Sequence, residues 1–169
     1  GHVWKYLADG SDQGTAWRAI AFNDAGWPSG PSSLGYGSDG EGDGTTIPSG
    51  PAGGFHATTY FRTTVDIPNP AAFVNILVRL KYDDEAAVYI NGVEAVRTAG
   101  LPAGAAYDYY TGSNVGSETA WKDFPMPVSR FTPGLNTIAV EVHQGSAGSS
   151  DVRMDMFVRG EVSAGGSNV

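Results

Sequence analysis

The stretch Lys81-Tyr82-Asp83-Asp84-Glu85-Ala86-Ala87-Val88-Tyr89-Ile90-Asn91-Gly92-Val93-Glu94-Ala95-Val96 decides the fold. It contains two runs of alternating apolar and polar residues, with Asn91-Gly92 between them. Asn-Gly accepts φ > 0 at both turn positions, as a two-residue type I′ turn requires. The stretch therefore reads as a β-hairpin, and the chain as one built from antiparallel strands.

The same period of two recurs on either side. Over Thr58–Ile67, Thr59, Phe61, Thr63, Val65 and Ile67 fall on one face, with Tyr60, Arg62 and Thr64 on the other. Phe73–Tyr82 places Val74, Ile76, Val78, Leu80 and Tyr82 inward, and Thr137–Gln144 does the same with Ile138, Val140 and Val142. Trp4–Ala8 and Val152–Val158 read as the first and last strands, and Thr15–Phe22 as a second extended or turn segment. Nothing with a helical period is long enough for a substantial amphipathic helix. Two stretches interrupt the strands: residues 23–55, rich in Gly, Pro, Ser and Asp, and residues 99–127, rich in aromatics. Both are long for structureless connectors, so ordered loop excursions are expected. The count comes to about eight strands with long loops, which suits an all-β antiparallel sandwich or jelly roll.

Composition agrees. Glycine is abundant, at 24 of 169 residues with 10 prolines, which in a polar chain would suggest disorder. Here 41% of residues are hydrophobic and 11% aromatic, enough for a packed two-layer core. The net charge of −8 argues against nucleic acid or an anionic lipid surface as partner. No apolar run reaches the roughly 18 residues of a membrane-spanning helix. Cysteine is absent, which excludes disulfides and thiol chemistry. Gly1-His2 reads as a tag remnant, residues 3–160 as a single domain, and residues 161–169 as a linker or tail, the pattern of a domain cut from a longer chain.

Several words of the sequence together resemble a known family: Trp4-Lys5-Tyr6-Leu7, Phe22-Asn23-Asp24-Ala25-Gly26-Trp27, Leu34-Gly35-Tyr36-Gly37, Thr59-Tyr60-Phe61-Arg62, Tyr82-Asp83-Asp84, Val88-Tyr89-Ile90-Asn91-Gly92, Asn136–Gln144 and Ser149-Ser150-Asp151. The chain is similar over nearly its whole length to the galactose-binding-like β-jelly-roll domains appended to bacterial secreted enzymes and surface proteins, carbohydrate-binding modules among them. The resemblance implies an accessory, non-catalytic domain in an extracellular or cell-surface protein. It also implies affinity for a polysaccharide or oligosaccharide, other domains in the same chain, and a structural calcium ion.

Candidate chemistry is of three kinds. Aromatic residues in expected loops, Trp27, Tyr36, Tyr107, Tyr109, Tyr110 and Trp121, offer faces on which a pyranose could stack. The competing reading for Trp27 and Tyr36 is a small core under a long loop. Asp84 and His143 are polar candidates for the rim of a sugar site. Asp83 and Asp84 cannot act as a catalytic pair, because neighbours on a strand point to opposite faces, and turn capping or an ion pair with Arg62 or Arg79 is the structural alternative. His143 could equally be a satisfied histidine on a half-exposed sheet beside Glu141. Finally, Asp39, Glu41 and Asp43 alternate with glycine as in the first half of an EF-hand loop, where oxygens converge on a hard cation. Gly50 stands where that loop would place its bidentate Glu, so the match is partial. Calcium is the metal such oxygens would take.

No GxSxG elbow, HExxH or P-loop is present. The expected function is a non-catalytic carbohydrate-binding module that tethers a larger exported enzyme to a polysaccharide, a monomer by itself. The alternative is a ligand-free structural or interaction domain. An enzyme in its own right is the reading with least in the sequence to carry it.

Overall fold

A computed structural model describes residues 1–37, 44–51, 54–112 and 120–163. Among these residues eleven strands form two sheets. They are β1 (Val3–Leu7), β2 (Ser29–Pro31), β3 (Leu34–Tyr36), β4 (Thr45–Thr46), β5 (Thr58–Ile67), β6 (Asn75–Asp83), β7 (Glu85–Ile90), β8 (Val93–Arg97), β9 (Lys122–Met126), β10 (Gly134–His143) and β11 (Val152–Glu161). The first sheet runs β2-β1-β5-β10-β7-β8 and the second β4-β3-β11-β6-β9. Every pairing is antiparallel except the short β3–β4 contact. The architecture is an antiparallel β-sandwich.

The inward faces meet in one core, where Trp4, Phe61, Val88, Ile138 and Val140 of the first sheet pack on Leu34, Val78, Leu80, Met154 and Met156 of the second. These are the alternate positions of each strand, as pleating requires. Asn91 (φ 51°) and Gly92 (φ 83°) both take the left-handed conformation that the β7–β8 turn needs. The Asn91 side chain also accepts from the Thr137 N–H at 2.9 Å, so the turn is tied to β10.

Three expectations need correction. The quoted stretch is not one hairpin: Lys81–Asp83 ends β6 in the second sheet, and Glu85 begins β7 in the first, with no turn at Glu85-Ala86. Of the two forms expected for Thr15–Phe22, extended or turn, the structure has the turn: a 3-10 turn, Ala16–Arg18, in an arch crossing the first sheet. The strands of the described residues number eleven rather than about eight, because β2, β3 and β4 lie in the Gly- and Pro-rich excursion and β9 in the aromatic-rich one. Tyr36 accordingly ends a strand instead of lying in a loop.

The outer face of the first sheet is the larger surprise. Its outward residues Tyr60, Ala87, Tyr89 and Ala139 are buried, covered by Trp17 and Leu101 from the arch and from the segment after β8. Trp17 lies 4.8 Å from the Tyr60 ring and 5.7 Å from Tyr89. Arg62 fastens the arch to β5, donating to the Trp17 carbonyl, to Ala19 O at 3.2 Å and to Asp24 Oδ2 at 2.9 Å. Burial on both faces explains why β7 is apolar almost throughout.

Phe61 is fully buried in the inter-sheet core. Phe61→Ala is expected to destabilise the domain by about 3–5 kcal/mol in a urea titration.

Candidate functional site

The structure distributes the sequence candidates over three places. The first is one end of the sandwich, where the chain passes from β10 into the following loop. Tyr36, Asp84, Tyr109 and His143 all meet here. Asp84 is buried; its N–H donates to the His143 carbonyl at 3.3 Å and its Oδ2 accepts the Gly145 N–H at 2.5 Å. It pairs with neither Arg62 nor Arg79, which bind Asp24 and Asp123. Gln144 donates to the Tyr36 hydroxyl at 2.6 Å and to Asp151 O at 2.8 Å. Burial pushes the Tyr36 hydroxyl up to about 12. His143 is fully buried, not half-exposed, and its Nδ1 lies 3.0 Å from both the Tyr109 carbonyl and Thr58 Oγ1. A carbonyl can only accept, so Nδ1 carries the proton in that bond. The polar groups of this end thus hold one another and the loop backbone.

The second place is the covered face of the first sheet. Trp27 lies 5.7 Å from Phe22 and 6.5 Å from Tyr60, packed against the cluster around Trp17. At the centre is Glu141, 4% exposed. Its Oε1 accepts from the Tyr89 hydroxyl at 2.7 Å and lies 3.5 Å from Arg18; its Oε2 lies 3.8 Å from His143 Nε2. The Arg18 guanidinium stacks on the Tyr89 ring at 4.2 Å. Burial opposes ionisation of Glu141, but the contacts from His143 and Tyr89 and the charge of Arg18 outweigh it and hold the carboxyl below its ordinary value.

The third place is the outer face of the second sheet. Trp121 packs edge-on against Phe157 at 4.9 Å. Lys81 Nζ sits 4.8 Å from the Trp121 ring centre, and Arg79 lies 5.5 Å from the Phe157 ring and 5.9 Å from Trp121. Strand register explains the grouping: Arg79 stands opposite Phe157 on one side and Asp123 on the other, and Lys81 stands opposite Asp155. These are the outward positions of β6 and β11, so aromatic and charged groups alternate across neighbouring strands. Phe157 is 40% exposed. Beside this platform lies a polar cavity of about 530 Å³ whose lining includes Lys81, Arg153, Asp155, Ser32 and Ser33. Rings of this kind offer an apolar face to a sugar, and the flanking charges and hydroxyls offer hydrogen bonds to its hydroxyl groups.

Of the remaining candidates, Tyr107 is 38% exposed on the segment after β8. Asp39, Glu41 and Asp43 lie outside the described residues. Among the described residues no three His, Asp or Glu side chains gather where they could hold a metal ion. Phe157, Arg79, Lys81 and Asp155 escaped the sequence reading. The available signal was a phenylalanine on the polar phase of the last strand, obscured by the run Met154-Asp155-Met156-Phe157-Val158.

No known protein family matches the chain, and no curated protein does either. Solved structures do. A β-glucuronidase from Bacteroides uniformis matches with a TM-score of 0.53 at 19% identity, over 89% of this chain and 16% of that one. A β-glycosidase from Bacteroides vulgatus matches with a TM-score of 0.54 at 18% identity, over 92% of this chain and 20% of that one. A Bifidobacterium dentium β-glucuronidase complexed with coumarin-3-O-glucuronide matches at 0.52 and 14% identity, over 84% and 19%. At these identities the likeness is one of fold. The chain spans a fifth or less of the length of these proteins.

The depressed carboxyl of Glu141 has a pH signature. Its contribution to stability is present above the ordinary glutamate value of 4.5 and is lost as pH falls below it, through the folded-state value. Urea titrations from pH 7 to pH 3 are expected to show Glu141→Gln less stable than wild type at neutral pH, with the gap closing below about pH 4.5.

Proposed function

We propose that this domain binds carbohydrate on the outer face of its second sheet, as a non-catalytic module of a larger extracellular enzyme. The observation that carries the reading is the Trp121–Phe157 pair on a sheet face that no arch of the described residues covers, flanked by Arg79 and Lys81 and continuous with a polar cavity. The other end of the molecule offers less: the carboxylate of Asp84 and the rings of His143 and Tyr36 are engaged within the fold. Support also comes from the solved neighbours, sugar-processing enzymes of which a domain of this shape is a small part. Each sugar contact would be weak, and attachment to the enzyme would raise the effective concentration of sites. Calcium, if bound in the 39–43 segment, would act as a structural ion.

A second reading is a ligand-free bracing domain. The internally closed polar end of the sandwich, where Gln144 and Asp84 satisfy loop backbone, favours it. On that reading the platform would face a neighbouring domain of the same chain.

Retention on a panel of insoluble and soluble polysaccharides separates the two, run with calcium and then with chelator. Trp121→Ala and Phe157→Ala are each expected to weaken retention about tenfold, the loss of roughly one stacking contact. Their urea midpoints should stay near wild type, because both rings are surface groups. A blank panel would favour the bracing domain, and unchanged retention in both variants would move the site elsewhere.

A further inference from the structure

The cavity beside the Trp121–Phe157 platform has one wall with two opposite charges, neither of them engaged by the fold. Lys81 on β6 and Asp155 on β11 are register partners, both half-buried, and both line the polar cavity of about 530 Å³. Side chains directly opposite on neighbouring strands share a face, with Cβ atoms about 5 Å apart. Yet among the described residues the two form no ion pair, and neither side chain has a hydrogen-bond partner. The Lys81 ammonium stands instead over the Trp121 ring, 4.8 Å from its centre. The wall therefore offers a donor at the edge of an aromatic surface and an acceptor next to it.

The rest of the face is balanced in charge. Arg79 pairs with Asp123 across β6 and β9, and Arg153 stands opposite Asp83. Further along β11, Arg159 is followed on the same face by Glu161. Each of these cations has a carboxylate nearby, so the face presents no net positive charge, on a chain whose net charge is −8. Nothing in that field draws an anionic ligand to it. A carboxylate or sulfate of a glycan would face Asp155 wherever it met Lys81. A hydroxyl group meets no such conflict, because it donates and accepts at once.

We propose that this face selects an uncharged sugar, whose hydroxyl groups bridge Lys81 and Asp155, over a uronic-acid or sulfated one. The proposal rests on the carbohydrate-binding reading of the same face and adds the chemical class of the ligand. Lys81 donates to one hydroxyl or ring oxygen, and the Asp155 carboxylate accepts from a second hydroxyl of the same sugar. Hydrogen bonds with one charged partner are roughly twice as strong as neutral ones. These two side chains therefore orient a ligand that the aromatic rings hold only by stacking.

Two sets of polysaccharides test it: uncharged β-glucan, galactan, xylan and mannan against polygalacturonate, alginate and dextran sulfate, at low and high ionic strength. Wild type is expected to be retained by at least one uncharged polymer, with salt leaving that retention unchanged, and by none of the charged ones. Asp155→Asn keeps the shape of the side chain and removes its charge. It should weaken retention on the uncharged polymer about tenfold and create salt-sensitive retention on polygalacturonate, because Lys81 is then unopposed. Lys81→Met should weaken uncharged retention similarly, with no gain on polygalacturonate. Urea midpoints near wild type establish that both variants keep the fold. The proposal is overturned, with the platform left standing, if wild type prefers a charged polymer and Trp121→Ala abolishes that retention. It is also overturned if neither Asp155→Asn nor Lys81→Met weakens uncharged retention. A blank result on both sets, or retention that survives both Trp121→Ala and Phe157→Ala, would remove the carbohydrate-binding reading of this face and the proposal with it.

Discussion

A carboxylate in the middle of a buried strand constrains the whole molecule. Glu141 lies on β10, between β5 and β7, with Tyr60 and Ala87 as its register partners. An unpaired charge at that depth would be severely unfavourable. Its partners come from different parts of the chain: Tyr89 from β7, His143 from its own strand, and Arg18 from the arch between β1 and β2. Arg18 reaches Glu141 only because the arch lies flat on the sheet. The arch lies flat because Trp17 fills the surface between Tyr60 and Tyr89 and because Arg62 holds its carbonyls. Charge neutralisation and apolar burial therefore fix the same loop.

The two sheets differ as a consequence. The first is covered on its outer face around Tyr60, Ala87, Tyr89 and Ala139, and the polar groups there serve the fold. The second is closed by the described residues only on its inner face. Its outward row of Arg79, Lys81, Asp155 and Phe157 remains within reach of solvent, and Trp121, just before β9, joins it. Long loops are the usual home of binding sites in sandwiches, yet here the loops around the first sheet are largely structural cover. Among the described residues, the outer face of the second sheet brings aromatic and hydrogen-bonding groups together within reach of solvent, which is why the proposed site is put there.

Strand alternation made much of this legible. Thr58–Ile67 was readable to the residue, and β10 and β11 began or ended within a few residues of expectation, because one face of each is apolar and the period is strict. The short strands were not legible, since two or three residues such as Thr45–Thr46 carry no period. Strand β9 contains Pro125, which an edge strand tolerates but which reads as a break. The sheet crossing at Asp83-Asp84 was hidden because strand pattern continues through it. His143 and Glu141 looked half-exposed because polar residues on alternate positions normally face water. Nothing local reveals that the arch carrying Trp17 and Arg18 lies over the strands around Glu141, or that the Tyr109 segment meets His143. Trp121 was singled out by its residue type, whereas its partner Phe157 reaches it only because β11 and β9, far apart in sequence, flank β6 in one sheet.

Mapping by NMR which backbone amides respond to a soluble glycan that the domain retains would test the central assignment most directly. Shifts should concentrate on Arg79, Lys81, Trp121, Asp155 and Phe157, with the amides of Tyr36, Asp84, Tyr109 and His143 unmoved. Shifts confined to that closed end of the sandwich, with a silent second sheet, would contradict it.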